Sequence, residues 1–372
     1  MELSKQGQLI QTTGVNLVGL WCPSFAKINQ KLYVFGGGGV VRNGLNVLDL
    51  RTMRWEPVKN IKGTPPSKRY GHTLSQWNNH LIVFSGCGEE NEYYNDMHMF
   101  NLDTSTWIQP NTKNNKKEKT ERYLHSVVVF DDKLFVYCGF SKDSEHITYV
   151  LKEMNVSDLK TFVWSTYRKG IKRRYDHSAI LVKNKMYIYA GKDYASKNVS
   201  DLFVIHLNEE EKTKPHPYMV HLVQTSSNSE MVPLKGLHYC KAIGNKKIFV
   251  FGRFYLDAKE NGTSQENDIY SYYDGIWFLD LETLNWKRYH ESLTYEDYNK
   301  FNNGRWNYFT IVNRTNIMLH EQRYDIINND KELLFLLGNT NSFRPQGDAL
   351  ILDVEEPSPT QEGYQDFLRA KY

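Results

Sequence analysis

The chain has 372 residues, of which 46 are Lys or Arg and 43 are Asp or Glu, so its formal net charge is only +3 at neutral pH. This balance excludes the strongly basic composition of a dedicated nucleic-acid-binding protein. Aromatic residues make up 14% of the sequence, which favours half-buried strands and an all-β class.

The four cysteines are scattered along the chain without a CxxC pair, which excludes the usual spacing of a metal site: Cys22, Cys87, Cys138 and Cys240. The first residues are polar, and no run of about 18 apolar residues occurs. These features predict a protein of a reducing compartment, which we take to be the cytoplasm, without membrane insertion.

The sequence is organised in successive units of about 50 residues. An Arg-Tyr-x-His motif recurs at Arg69, Arg122 and Arg174, and each copy opens an apolar run, a two-residue polar turn, a second apolar run and a glycine. A third run follows, and then a fourth that starts with Trp. We therefore predict a repeat fold with four antiparallel strands per unit.

Six such units can be placed along the chain. Their predicted boundaries are residues 16–60, 61–112, 113–168, 169–226, 232–290 and 304–354, followed by a tail at 355–372. In the fourth unit, a run that begins at Tyr218 replaces the Trp strand. In units one, five and six, we take Ser24, Cys240 and Tyr308 as the equivalents of the motif histidine.

The sixth unit lacks a Trp strand after Asp353, whereas residues 8–13 form a strand-like run without a unit of their own. We expect this run to supply the missing outer strand and to close a ring, which would remove an exposed sheet edge. An insertion at residues 313–331 separates the first two strands of the sixth unit, and its role stays open.

The repeated glycine, acidic and Trp positions resemble the kelch repeat. The matching residues are Gly36, Gly37, Gly86, Gly139, Gly191, Gly252 and Gly338; Asp49, Asn101, Asp280 and Asp353; and Trp55, Trp107, Trp164 and Trp286. This resemblance implies a single six-bladed kelch β-propeller over residues 1–354. The passage from Leu336 to Leu350 also resembles the last blade of fungal kelch regulators of signalling, sporulation and morphogenesis.

The repeated side chains each allow two interpretations. We interpret the Trp residues as core packing between blades rather than as a platform for nucleic acid or sugar. The motif histidines, His72, His125 and His177, are expected in separate spaces between blades, so we predict no metal and no cofactor. The motif arginines are interpreted first as bonds between blades, with a basic rim at the channel mouth as the alternative.

Strands of alternating direction place the connections between strands two and three, and between consecutive blades, on one face of the ring. Long polar and aromatic connections on a rigid scaffold are where binding normally resides, and Tyr and Arg are enriched at interaction hot spots. The predicted partner-binding residues on this face are Arg42, Tyr93, Tyr94, Phe140, Tyr194, Arg253, Phe254, Tyr255, Tyr272, Tyr273, Phe343 and Arg344. The basic run at 113–119 is expected to be a solvated loop tip.

The sequence therefore favours a non-enzymatic protein–protein interaction module, a scaffold or regulator that binds a protein or peptide partner. It contains no GxSxG elbow, no P-loop and no HExxH motif. Because a propeller site is assembled from distant loops, an enzyme or a small-molecule or sugar-binding protein with a site at the channel mouth is the alternative.

Overall fold

The described part of the chain consists of strands and turns, with one short 3₁₀ turn at Glu89–Asn91. The computed structural model describes residues 8–11, 13–15, 22–38, 41–112, 120–207, 217–225, 234–243, 245–255, 272–289, 318–319, 332–337 and 348–353. The runs of aromatic and β-branched residues form the strands, as these residue types fit a pleated, half-buried surface. Within the described ranges, no helix has the length and apolar character needed to cross a membrane.

The chain starts with two short strands and then builds its first blade. The short strands are β1 (Gln8–Gln11) and β2 (Thr13–Gly14). The first blade contains β3 (Ser24–Ile28), β4 (Lys31–Phe35), β5 (Leu45–Asp49) and β6 (Arg54–Pro57). These four strands pair antiparallel in chain order, and β2 adds to the outer edge of β6 in parallel.

The second and third blades repeat the same order of strands. The second contains β7 (Thr73–Trp77), β8 (His80–Cys87), β9 (Tyr93–Asn101) and β10 (Thr106–Ile108). The third contains β11 (Ser126–Phe130), β12 (Lys133–Tyr137), a separate small hairpin of β13 (Phe140–Lys142) and β14 (Thr148–Val150), then β15 (Met154–Asp158) and β16 (Trp164–Tyr167).

The fourth and fifth blades follow the same pattern. The fourth contains β17 (Ser178–Val182), β18 (Lys185–Tyr189), β19 (Leu202–His206) and β20 (Val220–Leu222). The fifth contains β21 (Leu234–Ile243), β22 (Lys247–Tyr255), β23 (Tyr272–Asp280) and β24 (Trp286–Tyr289). The run after Tyr218 thus takes the place of the Trp strand, as the sequence predicts.

The last described strands form a sheet with the start of the chain. They are β25 (Met318–Leu319), β26 (Glu332–Leu337) and β27 (Asp348–Asp353). The sheet order is β1-β27-β26-β25, with Gln8 opposite Ile351 and Gln11 opposite Asp348. The N-terminal run therefore pairs with the last predicted strand.

The first strands of consecutive blades contact each other, β3 with β7, β7 with β11, β11 with β17, and β17 with β21. The structure thus shows five consecutively packed blades of an all-β propeller, where the sequence predicts six. Two of the strands assigned to the sixth blade are present as β26 and β27, in one sheet with β1 and with β25, which lies within the 313–331 insertion. The predicted first strand of this blade, near Tyr308, lies outside the described residues. The described contacts do not extend to the packing of this sheet in a ring. The tail at 355–372 and most of the 313–331 insertion lie outside the described residues.

The hydrophobic core lies between the blades. Each of four buried clusters combines side chains from two neighbouring sheets. At the first seam, the Phe35 ring of blade one lies 5.4 Å from both the His72 and the Trp107 rings of blade two. Trp55, Trp107, Trp164 and Trp286 are all buried, as expected of core residues. Aromatic packing of this kind adds to the burial of apolar area.

One face of the propeller carries short, regular turns. The connection between the first two strands has two residues in each of blades one to four: 29–30, 78–79, 131–132 and 183–184. Asn29, Asn78 and Asp131 adopt positive φ angles there, which two-residue hairpin turns require. The predicted two-residue turns are confirmed in these four blades. In blade five, β21 ends at Ile243 and β22 begins at Lys247, so three residues connect the strands where the sequence predicts two.

Candidate partner-binding face

The Arg-Tyr-x-His motif lies where each blade begins, on the face opposite the two-residue turns. Tyr70 forms a bridge with Cys87 at the end of β8, and Tyr123 forms the same bridge with Phe140. The motif therefore sits at the level of the connections between strands two and three. The arginine, the histidine and the tyrosine of the motif have different surroundings, which determine what each side chain can contribute.

The motif arginines are buried rather than exposed at a rim. Arg69 forms a two-pronged ion pair with Asp96, with nitrogen–oxygen distances of 2.6 and 2.8 Å, and also donates to the carbonyl of Ser85 at 2.9 Å. Burial opposes ionisation of the Asp96 carboxyl, but hydrogen bonds from Arg69 and His98 outweigh it and hold the pKa of Asp96 well below its ordinary value.

The other two arginines repeat this arrangement. Arg122 donates to the carbonyl of Cys138 at 3.0 Å and pairs with Glu153 at 2.9 Å, and Arg174 donates to Ala190 at 3.0 Å and pairs with Asp201 at 2.6 Å. All three side chains are at most 4% exposed. The basic rim that the sequence allows at Arg69, Arg122 and Arg174 is not formed by these side chains, because each guanidinium is committed within the fold.

The motif arginines bond to the non-glycine residues that precede the repeated glycine in blades two, three and four. Ser85, Cys138 and Ala190 have φ angles of 59°, 46° and 56°, in the left-handed region that normally favours glycine. Each of their carbonyls accepts the hydrogen bond from the motif arginine. The next residue in each case is a glycine whose N–H, in the second and third blades, bonds to the carbonyl of the following blade's motif arginine at 2.9 Å.

The motif histidines lie in separate seams. Each is buried and stacks edge-on against an aromatic ring of the preceding blade: His72 on Phe35, His125 on Phe84, and His177 on Tyr137. His125 also meets the Thr73 hydroxyl at 3.2 Å, and His177 meets the Ser126 hydroxyl at 2.7 Å. Burial, with the nearby charge of Arg69, lowers the pKa of His72 to about 3.

The equivalents that the sequence assigned to the motif histidine are wrong in blades one and five. In blade five, His238 stacks edge-on against Tyr189 at 5.6 Å, so it takes the histidine position that we had given to Cys240. In blade one, Ser24 pairs with Phe35 in the register that places Thr73 opposite Phe84. Ser24 is thus equivalent to Thr73. The predicted position is thus two residues too late in blade five and one residue too late in blade one.

The motif tyrosines form an aromatic band around the face with two of the predicted partner-binding residues. Tyr123 lies 6.2 Å from Tyr70, 4.9 Å from Tyr93 and 5.7 Å from Phe140, and Phe140 lies 4.9 Å from Tyr175. Tyr93 is buried and Phe140 is half-buried. These rings form the base of the face, and side chains above them are the ones exposed to a partner.

The remaining predicted residues of blades one to four differ in exposure. Arg42 is half-buried, and its carbonyl accepts from the Arg69 N–H at 3.1 Å. The Tyr94 ring lies 4.3 Å from the Arg69 guanidinium carbon, and its hydroxyl donates to Glu92 at 2.8 Å. Tyr194 is 75% exposed. Of these residues, only Tyr194 presents most of its surface to solvent.

The predicted loop residues of blade five lie on a projecting hairpin. The ladder between β22 and β23 continues past Gly252 and pairs Arg253 with Asp274, Phe254 with Tyr273, and Tyr255 with Tyr272. Both strands therefore have nine residues, and consecutive aromatic residues, which favour strands, lie at their paired ends. These predicted residues belong to the paired strands and not to the connection between them. Phe343 and Arg344 lie outside the described residues.

Sequence reasoning missed the acidic partners of the motif arginines. Asp96, Glu153 and Asp201 each lie one residue before the core of the third strand of a blade. They lie 27, 31 and 27 residues after their arginines. The varying separation concealed the pattern, although an acidic residue directly before each third apolar run was the available signal.

Comparison with known proteins tests the resemblance of these repeats to a known family. A family model described as the KLHDC2/KLHL20/DRC7 Kelch-repeats domain matches residues 22–170, the segment that contains the first three blades. The chain carries kelch repeats. The resemblance stated for the glycine, acidic and Trp positions is thereby confirmed.

Named relatives include animal and fungal kelch proteins. Kelch domain-containing protein 10 of Rattus norvegicus is 28% identical over 217 residues, which cover 55% of this chain and 51% of that protein. Tip elongation aberrant protein 1 of Schizosaccharomyces pombe is 26% identical over 191 residues, which cover 49% of this chain and 16% of that protein. The matched region thus spans about half the length of the first relative and a small part of the second.

A solved structure supports the propeller fold over a longer part of the chain. The structure of YjhT aligns with a TM-score of 0.59 and 14% sequence identity, and the alignment covers 94% of this chain and 97% of that one. At this identity the likeness shows the propeller fold alone.

Proposed function

We propose that this kelch protein is a non-enzymatic interaction module, a cytoplasmic scaffold or regulator that binds a protein or peptide partner through the face carrying the long connections. The observation that carries the proposal is the difference between the two faces. The connections between the first two strands have two residues in blades one to four and three in blade five, whereas the opposite face carries the extended hairpins of blades two, three and five. Variable connections on a rigid scaffold are the usual location of binding.

The chemistry of the seams supports an interaction module over an enzyme. The motif arginines and their carboxylates are paired with each other, and the motif histidines are buried against aromatic rings. The arginine side chains are therefore engaged within single blades, where the sequence favours bonds between blades, and the histidine rings are engaged between neighbouring blades. The near-neutral net charge supports a protein partner rather than a nucleic acid. The four cysteines are free thiols, all buried, which supports a reducing compartment such as the cytoplasm.

We further propose that the ring has six blades and is closed by the N-terminal stretch. Two adjacent strands of that stretch pair with opposite ends of the chain. β1 pairs with β27, and only one residue later β2 pairs with β6 of the first blade. A single residue separates the two pairings, which supports a position of the β25 to β27 sheet next to the first blade. This placement is the one that a closed ring requires.

A capture experiment with two matched variants tests the binding face. One variant replaces four aromatic residues of the β22–β23 hairpin, Phe254, Tyr255, Tyr272 and Tyr273, with Ala. The control replaces four exposed residues of the opposite face with Ala, namely Asn78, Lys183, Lys246 and Glu282. Both variants are first compared with wild type by circular dichroism and melting temperature.

We expect the wild type and the control to retain the same specific partners, and the aromatic variant to lose at least one, as measured by quantitative mass spectrometry. Retention of every partner by the folded aromatic variant would refute this hairpin as the binding site. Loss of partners in the control alone would assign binding to the opposite face.

A further inference from the structure

The connections of blades two and three are joined side by side. The Lys142 ammonium of the third blade donates to the carbonyl of Asn91 in the second blade at 2.8 Å. The same ammonium lies 4.9 Å from the centre of the Tyr93 ring, a cation–π contact. One lysine thus fixes the β13–β14 hairpin against the turn at Glu89–Asn91.

The connections of blades three and four are joined in the same way. Phe140 at the base of the β13–β14 hairpin packs against Tyr175 of blade four. The Tyr175 hydroxyl in turn lies 3.0 Å from the Ser196 hydroxyl, and the Lys192 ammonium lies 5.8 Å from the Tyr175 ring. Residues 89–92, 142–149 and 192–197 therefore form one continuous surface, the blade 2–4 loop surface.

Two of these loops are held by equivalent internal bonds. The Asp143 carboxylate accepts from the N–H groups of Glu145 and Ile147, both at 2.9 Å. The Asp193 carboxylate accepts from Ala195 at 2.8 Å and Lys197 at 3.0 Å. Loops held in one conformation lose less conformational entropy when a partner binds.

The tips of these loops expose apolar side chains that the fold does not use. Tyr194 is 75% exposed, Ile147 is 59% exposed and Tyr149 is 38% exposed. Placing large apolar side chains on rigid, exposed loops is characteristic of interaction surfaces rather than of isolated surface residues. They are the natural anchors for a partner.

The same surface carries more acidic than basic residues, which favours a basic partner. It carries six acidic residues and three lysines: Glu89, Glu90, Glu92, Asp143, Glu145 and Asp193, with Lys142, Lys192 and Lys197. The ammonium groups of Lys142 and Lys192 already face tyrosine rings. The surface is thus net acidic, although the whole chain is net basic. Complementary charge steers association and excludes partners of the wrong sign.

We propose that the blade 2–4 loop surface docks a basic segment of a partner protein, with an aliphatic or aromatic side chain of that segment packed between Tyr194 and Ile147. This inference rests on the proposed interaction function and specifies the partner's chemistry. Lys or Arg side chains of the segment pair with the carboxylates of Glu90 and Glu145, which form no ion pair among the described residues.

A random 12-residue peptide library displayed on phage and selected on the full-length chain tests this proposal. We expect enriched peptides to combine Lys or Arg with at least one large apolar residue. Synthetic versions should bind the double variant Tyr194→Ser, Ile147→Ser at least about tenfold more weakly by fluorescence anisotropy, because hot-spot anchors contribute that much or more. The matched control is Leu222→Ser on β20, which removes a side chain of similar exposure, 50%, from the outer edge of blade four.

Variants that remove negative charge test the electrostatic contribution to peptide binding. Glu90→Gln with Glu145→Gln should weaken the same peptides and flatten their salt dependence, whereas Glu282→Gln on the opposite face should not. Enrichment of acidic peptides, absence of enrichment, or equal binding by the Tyr194, Ile147 variant would overturn the inference. If those results occur while the blade five variant still loses partners in the capture experiment, the proposed function stands and only this surface is wrong.

Discussion

At the scale of single residues, the Arg-Tyr-x-His motif has two buried side chains, the arginine and the histidine, and one side chain beneath the connections, the tyrosine. The arginine joins the start of one strand to the carboxylate before another, and the histidine fills the space between two blades. The tyrosine contributes to the aromatic band beneath the connections. Of these three residues, only the tyrosine therefore lies next to the connections of the proposed binding face.

The first prediction concerns the geometry of the arginine pair. Arg69→Lys keeps the positive charge but cannot form the two-pronged contact with Asp96 or reach Ser85 at the same time. We expect the free energy of unfolding to fall by about 2–4 kcal/mol in a guanidinium titration, as expected for disruption of a buried pair. The control is Arg51→Lys in the exposed pair with Asp49, which should leave unfolding unchanged. Equal effects of the two variants would contradict the structural role of Arg69.

The second prediction concerns pH. The pKa of His72 in the folded protein is about 3, below its value in the unfolded chain, so the unfolded state binds more protons as the pH falls below about 6.5. Stability is therefore fully present at neutral pH and is lost on acidification, by up to about 1.4 kcal/mol per pH unit for each such histidine. Burial lowers the pKa of His125 and His177 in the same direction.

Denaturant titrations between pH 7.5 and 5 check this dependence. His72→Phe should reduce the slope of stability against pH by about one proton. The control, Leu222→Ser on the exposed strand β20, changes no titratable group and should leave the slope as in wild type. A slope that His72→Phe does not change would show that this histidine is not buried in its neutral form.

At the scale of strands and loops, the outer edge of two blades is covered in the same way. In blade one, Thr13 and Val15 donate to the carbonyls of Met53 and Trp55 at 3.0 and 2.9 Å. In blade two, Lys62 donates to Ser105 at 2.8 Å and accepts from Trp107 at 2.9 Å. Both segments continue into a glycine, Gly14 or Gly63, so each blade's edge is shielded by the chain that leads into it.

The third prediction tests this edge contact. Gly63 has a φ of +74°, and a Cβ there would lie 2.2 Å from the Trp107 carbonyl oxygen. Gly63→Ala should therefore lower the free energy of unfolding by roughly 2 kcal/mol or more, measured by denaturant titration. Gly44→Ala is the control, because its Cβ would meet only the Asn46 side chain, at 3.6 Å. A Gly63 variant as stable as the Gly44 variant would show that the edge segment is not held against Trp107.

Strand order, two-residue turns and Trp packing could be predicted from the sequence, because they depend on local alternation and on residues at a fixed place in each repeat. The hairpin of blade five could not. The ladder ends before the glycine in blades one, three and four and shifts register before Gly86 in blade two, but it continues without a shift through Gly252 in blade five. The edge segments were missed for a different reason. Lys62 bonds to a strand more than 40 residues later, and nothing in its own sequence marks that pairing.

At the scale of the whole molecule, the proposed function requires one closed ring in which all long connections lie on the same face. Five blades pack consecutively through their first strands, and the N-terminal stretch pairs within two residues with both β27 and β6. If the ring closes there, blade five and the blade 2–4 loop surface belong to one rigid face, and a large partner can contact both.

The most direct test of this closure is the thermal stability of two truncated proteins. Removal of residues 1–15 deletes β1 and β2, which should cost on the order of 4 kcal/mol of hydrogen bonding and lower the melting temperature by about 5 °C or more. Removal of residues 1–7, which precede β1, is the control and should leave the melting temperature unchanged. We predict one cooperative unfolding transition, whose melting temperature falls only when residues 1–15 are removed. An identical melting curve for both truncations and the full chain would contradict ring closure by the N-terminal strands.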